Sequence, residues 1–272
     1  MTTSNDNVKS KGVLVFAFNT NVDYVAIADQ TSQLIAHNLK LPVTLVTDHD
    51  ANPAFAYDQI IRVDPQGETY RTESASIRWR NFGRHLAYEL SPYDQTLLLD
   101  TDYLVMGDSL LKLFDSNQDY RIMHHNTDEN GPSYEMMGET SLPFVWATVI
   151  LFKKTAKAQM LFDLVGKIQR NYNYYRQLYN IREGNYRNDY AFAIANNVLN
   201  GYNVNATQGI PWTMFTLNDK IREIKIDGNN LRVYLNNTAP LYMPQRDIHV
   251  MDKAYLQTDN FKHLVEMLTD AA

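Results

Sequence analysis

Short, strand-length apolar runs separated by helix-length segments restrict this chain to an α/β architecture. Val13-Leu14-Val15-Phe16-Ala17-Phe18, the stretch Pro42 to Asp48, and Gln95 to Asp100 are each long enough for one strand. Continuous apolar runs of this kind suit strands covered on both faces, as in a parallel sheet. Between the first two, Asp23 is positioned to cap a helix that carries Val25, Ile27, Ala28, Leu34 and Ile35 and stops before Pro42. Ile60 to Asp64 reads as a further strand, and Trp79 to Leu90 as a helix ended by Ser91-Pro92. This alternation predicts a mostly parallel, Rossmann-like central sheet flanked by helices, in a single domain.

The pattern loosens downstream. Tyr120 to His125 and Phe144 to Phe152 are strand-like, and Asn126 to Ser141 between them is a polar, glycine-containing loop long enough to suggest function. Ala156 to Tyr179 and Tyr186 to Leu199 have helical spacing. Short strands follow at Ile221 to Ile226 and Leu231 to Leu235, then Asp247-Ile248-His249-Val250 and a closing helix from Asn260. Residues 1–11 are polar and predict a disordered tail, leaving 12–272 as the folded domain.

Composition removes several function classes. The 272 residues include no cysteine, which excludes disulfides and thiolate zinc sites and fits a reducing compartment. No run approaches the ~18 apolar residues needed to cross a bilayer, and the N-terminal stretch lacks the apolar core of a secretion signal. The expectation is therefore a soluble, cytoplasmic protein without a membrane partner; oligomeric state is unreadable. A formal net charge of −6 disfavours coating of nucleic acid, though a local basic face stays open.

The chemistry concentrates where the apolar run Leu97-Leu98-Leu99 meets Asp100-Thr101-Asp102. Ligands of open α/β sheets collect at the carboxyl ends of strands. Two carboxylates one residue apart at such an end repel each other unless a cation joins them. Hard divalent ions take oxygen ligands, and Mg²⁺ or Mn²⁺ sites combine one or two carboxylates with substrate phosphates. As a bare pattern Asp-x-Asp also fits an ordinary surface turn; its place after a buried strand favours the metal.

The stretch from Ser91 to Val105 resembles the metal-binding segment of GT-A fold glycosyltransferases, most closely the family-eight type that includes glycogenin and bacterial galactosyltransferases. The resemblance implies that Asp100 and Asp102 hold the metal and that Thr101 lies against the donor. It implies a third ligand from a C-terminal histidine followed by a lysine that contacts the diphosphate. In Arg246-Asp247-Ile248-His249-Val250-Met251-Asp252-Lys253 these are His249 and Lys253, although the glycine usual between them is missing. An imidazole ligand suits Mn²⁺ better than Mg²⁺. The same likeness assigns Ala17, Asn19 and Thr20, with Asp48 secondary, to the base and ribose of a nucleotide-sugar, expected to be a UDP-sugar. It brings Arg84, and Arg80 one turn earlier, to the diphosphate and sugar. It divides the chain into a nucleotide-sugar and metal half, 12–110, and an acceptor-facing half, 111–272.

Asn188 and Asp189 open a helix that in the resembled family lies near the anomeric carbon, so both are candidates for the catalytic role, and retention of configuration is implied. A helix-capping aspartate is the competing account. The positions where the family carries Asn-Ser-Gly read Trp146-Ala147-Thr148 here, which leaves the acceptor contacts open. Tyr172, Tyr174, Tyr175, Tyr179 and Tyr186, interleaved with Arg170, Arg176, Arg182 and Arg187, suit stacking on sugars or bases as well as ordinary packing. The wording around Trp146-Ala147-Thr148 and Ser91-Pro92-Tyr93 resembles glycosyltransferases of T4-like tailed phages. That implies a hydroxymethylated base in phage DNA as one acceptor, with glycan or protein as the others. A nucleotidyltransferase is disfavoured, because Phe18 to Asp23 holds neither glycine nor a basic residue. A non-catalytic nucleotide-sugar-binding protein is the remaining rival.

Overall fold

The computed structural model describes residues 10–64, 69–70, 78–79, 81–133, 136–137, 140, 142–182, 184–203, 208–236 and 239–270. The expected N-terminal tail, apart from its last two residues, and Arg80 lie outside them. Strand β1 (Lys11–Phe16) leads to helix α1 (Tyr24–Leu39), which Asp23 caps by accepting a 2.9 Å hydrogen bond from the Ala26 N–H. Then come β2 (Val43–Thr47), β3 (Gln59–Arg62), the short pair β4 (Thr69–Tyr70) and β5 (Arg78–Trp79), a 3₁₀ segment at Asn81–Leu86, and α2 (Ala87–Leu90). Strand β6 (Gln95–Leu99), β7 (Tyr103–Leu104), a second 3₁₀ segment at Ser109–Asp115, and β8 (Tyr120–Met123) follow. The hairpin of β9 (Asn126–Asp128) and β10 (Gly131–Ser133) precedes β11 (Trp146–Lys153). Helices α3 (Ala156–Arg170), α4 (Tyr172–Leu178) and α5 (Asn188–Leu199) come next. The chain ends with β12 (Met214–Leu217), β13 (Ile221–Asp227), β14 (Asn230–Leu235), β15 (Leu241–Pro244), β16 (Ile248–Val250), a 3₁₀ turn at Tyr255–Gln257, and α6 (Asp259–Asp270).

The main sheet has the order β3-β2-β1-β6-β11-β8. Its first four strands are parallel; β11 runs antiparallel to β6 and to β8. Alternation along the strands sorts the apolar side chains into two cores. Leu14, Leu98 and Ile150 face the side packed by Leu161, Phe162 and Phe192, while Val13, Val15, Leu97, Leu99 and Val149 face Val25 and Ile35. A side chain at Gly12 could not be fitted: a Cβ there would come within 2.3 Å of the Tyr93 ring, whose hydroxyl shares a 2.7 Å hydrogen bond with Thr44.

A second sheet, β10-β9-β12-β16-β7, stands beside the first, and a third, β13-β14-β15, packs through Ile224, Leu231 and Val233 into a core shared with Phe261 and Leu264 of α6. The predicted helix Trp79 to Leu90 is instead a strand end, a 3₁₀ segment and four helical residues. Gly83 is a poor helix former, and the tie of Arg84 to the sheet, described below, fixes that segment more strongly than its helical spacing. The predicted helix Ala156 to Tyr179 breaks at Asn171, whose side-chain amide donates to Lys167 C=O at 2.9 Å and whose N–H bonds Ile168 C=O. Such local side-chain bonds compete with helix continuation.

Candidate active site

Two ladders bring the acidic triplet and the distant histidine together. The Asp100 N–H donates to Thr148 C=O at 3.0 Å, which fixes the turn at the end of β6 to β11. Strand β16 pairs antiparallel with β7, opposing His249 to Tyr103, and parallel with β12, aligning His249 with Thr216. The Val250 N–H then donates to Asp102 C=O at 2.9 Å. Asp247 and Asp252 pin both ends of this segment. Asp247 accepts from the Met106 N–H at 2.7 Å and from Ser109 Oγ at 3.1 Å; Asp252 accepts from the Ile221 N–H at 2.9 Å and Lys220 Nζ at 3.0 Å.

As a result, one ligand atom from each of Asp100, Asp102 and His249 lies within 4.8 Å of the others. Asp102 is buried, with Lys253 Nζ on Oδ2 and His249 Nε2 3.4 Å from Oδ1. The Oδ1 atom is buried with no hydrogen-bond partner among the described residues. Burial works to raise the Asp102 carboxyl, but Lys253 and then His249 outweigh it and hold it far below the usual carboxylate range. Asp100 goes the other way. Burial raises it and the charge of Asp102 adds to the rise, against the pull of Arg84.

A hydrogen-bond relay orients the His249 ring. Asn126 Nδ2 donates to Ser133 Oγ, so its Oδ1 accepts the Thr216 hydroxyl proton at 2.7 Å. The Thr216 oxygen lies 3.3 Å from His249 Nδ1, within hydrogen-bond reach. His249 Nε2 is thereby turned toward the Asp102 oxygen that lacks a hydrogen-bond partner among the described residues, 3.4 Å away. That donor set, one imidazole nitrogen and two carboxylates with an outer hydrogen-bond partner fixing the ring, fits a divalent cation.

Arg84 is 1% exposed and underlies the turn. Its Nη1 donates to Asp100 Oδ1 and its Nη2 to Ala147 C=O, both at 2.5 Å. The Ala147 N–H, on the other side of the same residue, donates to Asp189 Oδ1 at 3.0 Å, and Arg187 Nη2 reaches Asp189 Oδ2 at 3.2 Å. Asp189 thus stands in the first turn of α5 within electrostatic reach of Asp100. Its neighbour Asn188 is buried and accepts from the Tyr186 hydroxyl at 3.0 Å.

The remaining sequence candidates lie at the carboxyl ends of the parallel strands. Ala17 is buried after β1, its N–H on Val46 C=O. Asn19 Oδ1 accepts from the Val25 N–H at 2.9 Å and Thr20 Oγ1 from the Val22 N–H at 3.3 Å. Asp48 follows β2 and gives its carbonyl to Arg62. Thr101 is buried inside the triplet turn. Lys253, Arg84, Asp189 and the three metal candidates thus converge, whereas Asn188 turns toward Tyr186. Thr216, Asn126, Asp247 and Asp252 were not singled out in the sequence. Only the acids bracketing His249 left a local trace, because Thr216 and Asn126 acquire their role through strand pairing.

No family model and no curated protein matches the sequence. Among solved structures, the galactosyltransferase LgtC in complex with donor and acceptor sugar analogues aligns over 96% of this chain and 95% of its own, at 16% identity and a TM-score of 0.53. An active-site mutant of LgtC gives 15% identity, the same coverage and 0.54. The glycosyltransferase GlyE of Streptococcus pneumoniae aligns over 70% of this chain at 16% identity and a TM-score of 0.38, and the chain spans only 43% of GlyE's length. The LgtC likeness establishes the architecture: this chain has the GT-A fold in a single domain. No helix of the described residues is long and apolar enough to cross a membrane.

Proposed function

We propose that this protein is a metal-dependent glycosyltransferase that moves a sugar from a nucleotide-sugar to an acceptor hydroxyl. One observation carries the reading: at the carboxyl end of a GT-A sheet, Asp100, Asp102 and His249 converge, with an Asp102 oxygen lacking any hydrogen-bond partner among the described residues. A bound divalent ion would grip the donor diphosphate and neutralise the charge that develops as it leaves.

The protein's own groups do the rest. Lys253 supplies an ammonium for the diphosphate oxygens, and Arg84 holds Asp100 against the sheet. Ala17, Asn19, Thr20 and Thr101 line the strand ends where base and ribose would lie, with Arg80 assigned to the donor by resemblance alone. Asp189, held by the Ala147 N–H and Arg187, offers a negative charge beside the site; with Asn188 behind it, that charge would stabilise a cationic anomeric centre during transfer with retention. We favour Mn²⁺ for its tolerance of an imidazole ligand, and a UDP-sugar as donor. The acceptor is a hydroxyl of a glycan, a protein or a hydroxymethylated DNA base.

The test is to incubate the protein with a panel of nucleotide-sugars and Mn²⁺ and follow released nucleoside diphosphate. Slow metal-dependent hydrolysis of one donor is expected, and Asp102→Asn should abolish metal-dependent donor binding with the fold intact. If no donor is bound or turned over in the presence of metal, the reading fails.

A further inference from the structure

Strand β11 starts at the site with Trp146 and Ala147 and finishes with Lys153 beside Gln95, where β6 begins, at the opposite end of the strands. Helix α3 returns from that end, so its C-terminus, α4 and the segment entering α5 come back toward the site. Between them lies an open cleft of about 450 Å³, walled by Gln169 to Tyr174 and by Gly184 to Tyr186. That volume falls in the range of small-ligand sites, ~300–1,000 Å³. Tyr186 joins the cleft to the site. Its ring packs edge-on against Tyr172 at 5.4 Å, and it lies within electrostatic reach of Asp189 and Arg84.

The lining is unusual in chemistry. Four side-chain amides, Gln169, Asn171, Asn173 and Asn185, stand with the exposed ring of Tyr174 and a single guanidinium, Arg170. Asn171 uses its NH₂ group on Lys167 C=O, and Asn173 uses its oxygen for Arg176 Nε at 3.2 Å. Among the described residues, the Asn171 amide oxygen and the Asn173 NH₂ are thereby left for a ligand. A planar amide offers donor and acceptor together, the match for neighbouring hydroxyls that are each donor and acceptor. A tyrosine ring presents an apolar face and a polar edge, suited to the C–H face of a sugar. Nucleic acid makes a different demand. Its phosphates need several cations, and the cleft has one among its described residues, in a chain of net charge −6.

We propose that this cleft binds a carbohydrate segment of the acceptor, on the rim of the transfer site. The assignment of the occupant as acceptor rests on the glycosyltransferase reading above; binding of carbohydrate there does not. The experiment is a nitrogen-15 NMR titration of the full chain, without metal or donor, using cellobiose, maltotriose and N,N′-diacetylchitobiose in turn, and a single-stranded oligonucleotide. At least one sugar should shift the side-chain amide resonances of Asn171, Asn173 and Asn185. Tyr174→Ala should weaken that binding about tenfold, the scale on which loss of one stacking ring acts, while Tyr242→Ala on the outer sheet leaves it unchanged. Failure of all three sugars to move those resonances overturns the proposal, as does tighter binding of the oligonucleotide there. Sugar binding in a protein that binds neither Mn²⁺ nor any nucleotide-sugar would keep the cleft and defeat the transferase reading instead.

Discussion

Lys253 is the cation that accompanies Asp102 in the metal-free protein, and replacing it by methionine isolates that role. The two side chains are 13% and 11% exposed, with Nζ on Oδ2. Removing one partner of a buried pair costs about 3–5 kcal/mol. Here His249 Nε2 remains 3.4 Å from the other oxygen, so the lower end of that range applies, about 3 kcal/mol. For a chain of this size that is roughly 5–10 °C in Tm. A bound divalent ion neutralises Asp102 itself, so the metal-loaded variant should not suffer the loss. Closing the thermodynamic cycle, Lys253→Met must bind the ion more tightly by the same energy, roughly 150-fold. Thermal unfolding with and without MnCl₂, and calorimetric titration of Mn²⁺ in the absence of nucleotide, measure both arms. A variant as stable as the parent without metal, or one with unchanged or weaker Mn²⁺ affinity, would refute the reasoning.

Arg84→Met should destabilise the protein by about 3–5 kcal/mol in urea unfolding, since it strips a 1%-exposed guanidinium from Asp100 and Ala147; a loss under about 1 kcal/mol would mean the pair acts like a surface one. Thr216→Val keeps the shape but removes the hydroxyl hydrogen-bonded to His249 Nδ1, and Mn²⁺ affinity should drop about 10- to 100-fold with the fold retained; unchanged affinity would show that the relay does not orient the ring. His124 is depressed to about 4 by burial, with His125 adding to the shift. Between that value and the ordinary 6.5 the unfolded chain binds more protons, so stability rises with pH there. Acidification from pH 6.5 to 4 should cost up to about 1.4 kcal/mol per unit, a slope that His124→Gln should flatten in denaturation measured at several pH values. An identical slope in the variant would assign the titration elsewhere.

The parts of this molecule that could be read from the sequence are those whose cause is local. Strands β1, β2 and β6 are buried almost throughout, so their residues are apolar on both faces and announce themselves. Asp23 caps α1 because the cap bond spans three residues. The 3₁₀ winding at Asn81–Leu86 could not be read in this way, because helical spacing there competes with a guanidinium bonded sixteen positions away at Asp100. The break at Asn171 is local, yet an asparagine in a helical stretch is common enough that its side-chain bond to Lys167 gives no distinctive signal.

The candidate site divides along the same line. Asp100 and Asp102 follow a legible strand, and His249 with Lys253 forms a local pattern, so each half could be seen alone. Their meeting depends on β16 entering between β7 and β12, and the ladder to β7 consists of only two residue pairs. Two pairs are too few to hold a buried carboxylate against an imidazole, which is why Asp247 and Asp252 matter. Each is an acid with two donors from a different part of the chain, and together they fix the segment at both ends. The charge on Asp252 is spent on Lys220 and the Ile221 N–H rather than on the neighbouring Lys253. That division leaves Lys253 for Asp102 and, in the function proposed above, for a phosphate once an ion has displaced it. The spacing of acids around His249 therefore separates the carboxylates that anchor the segment from the one left for the proposed ion.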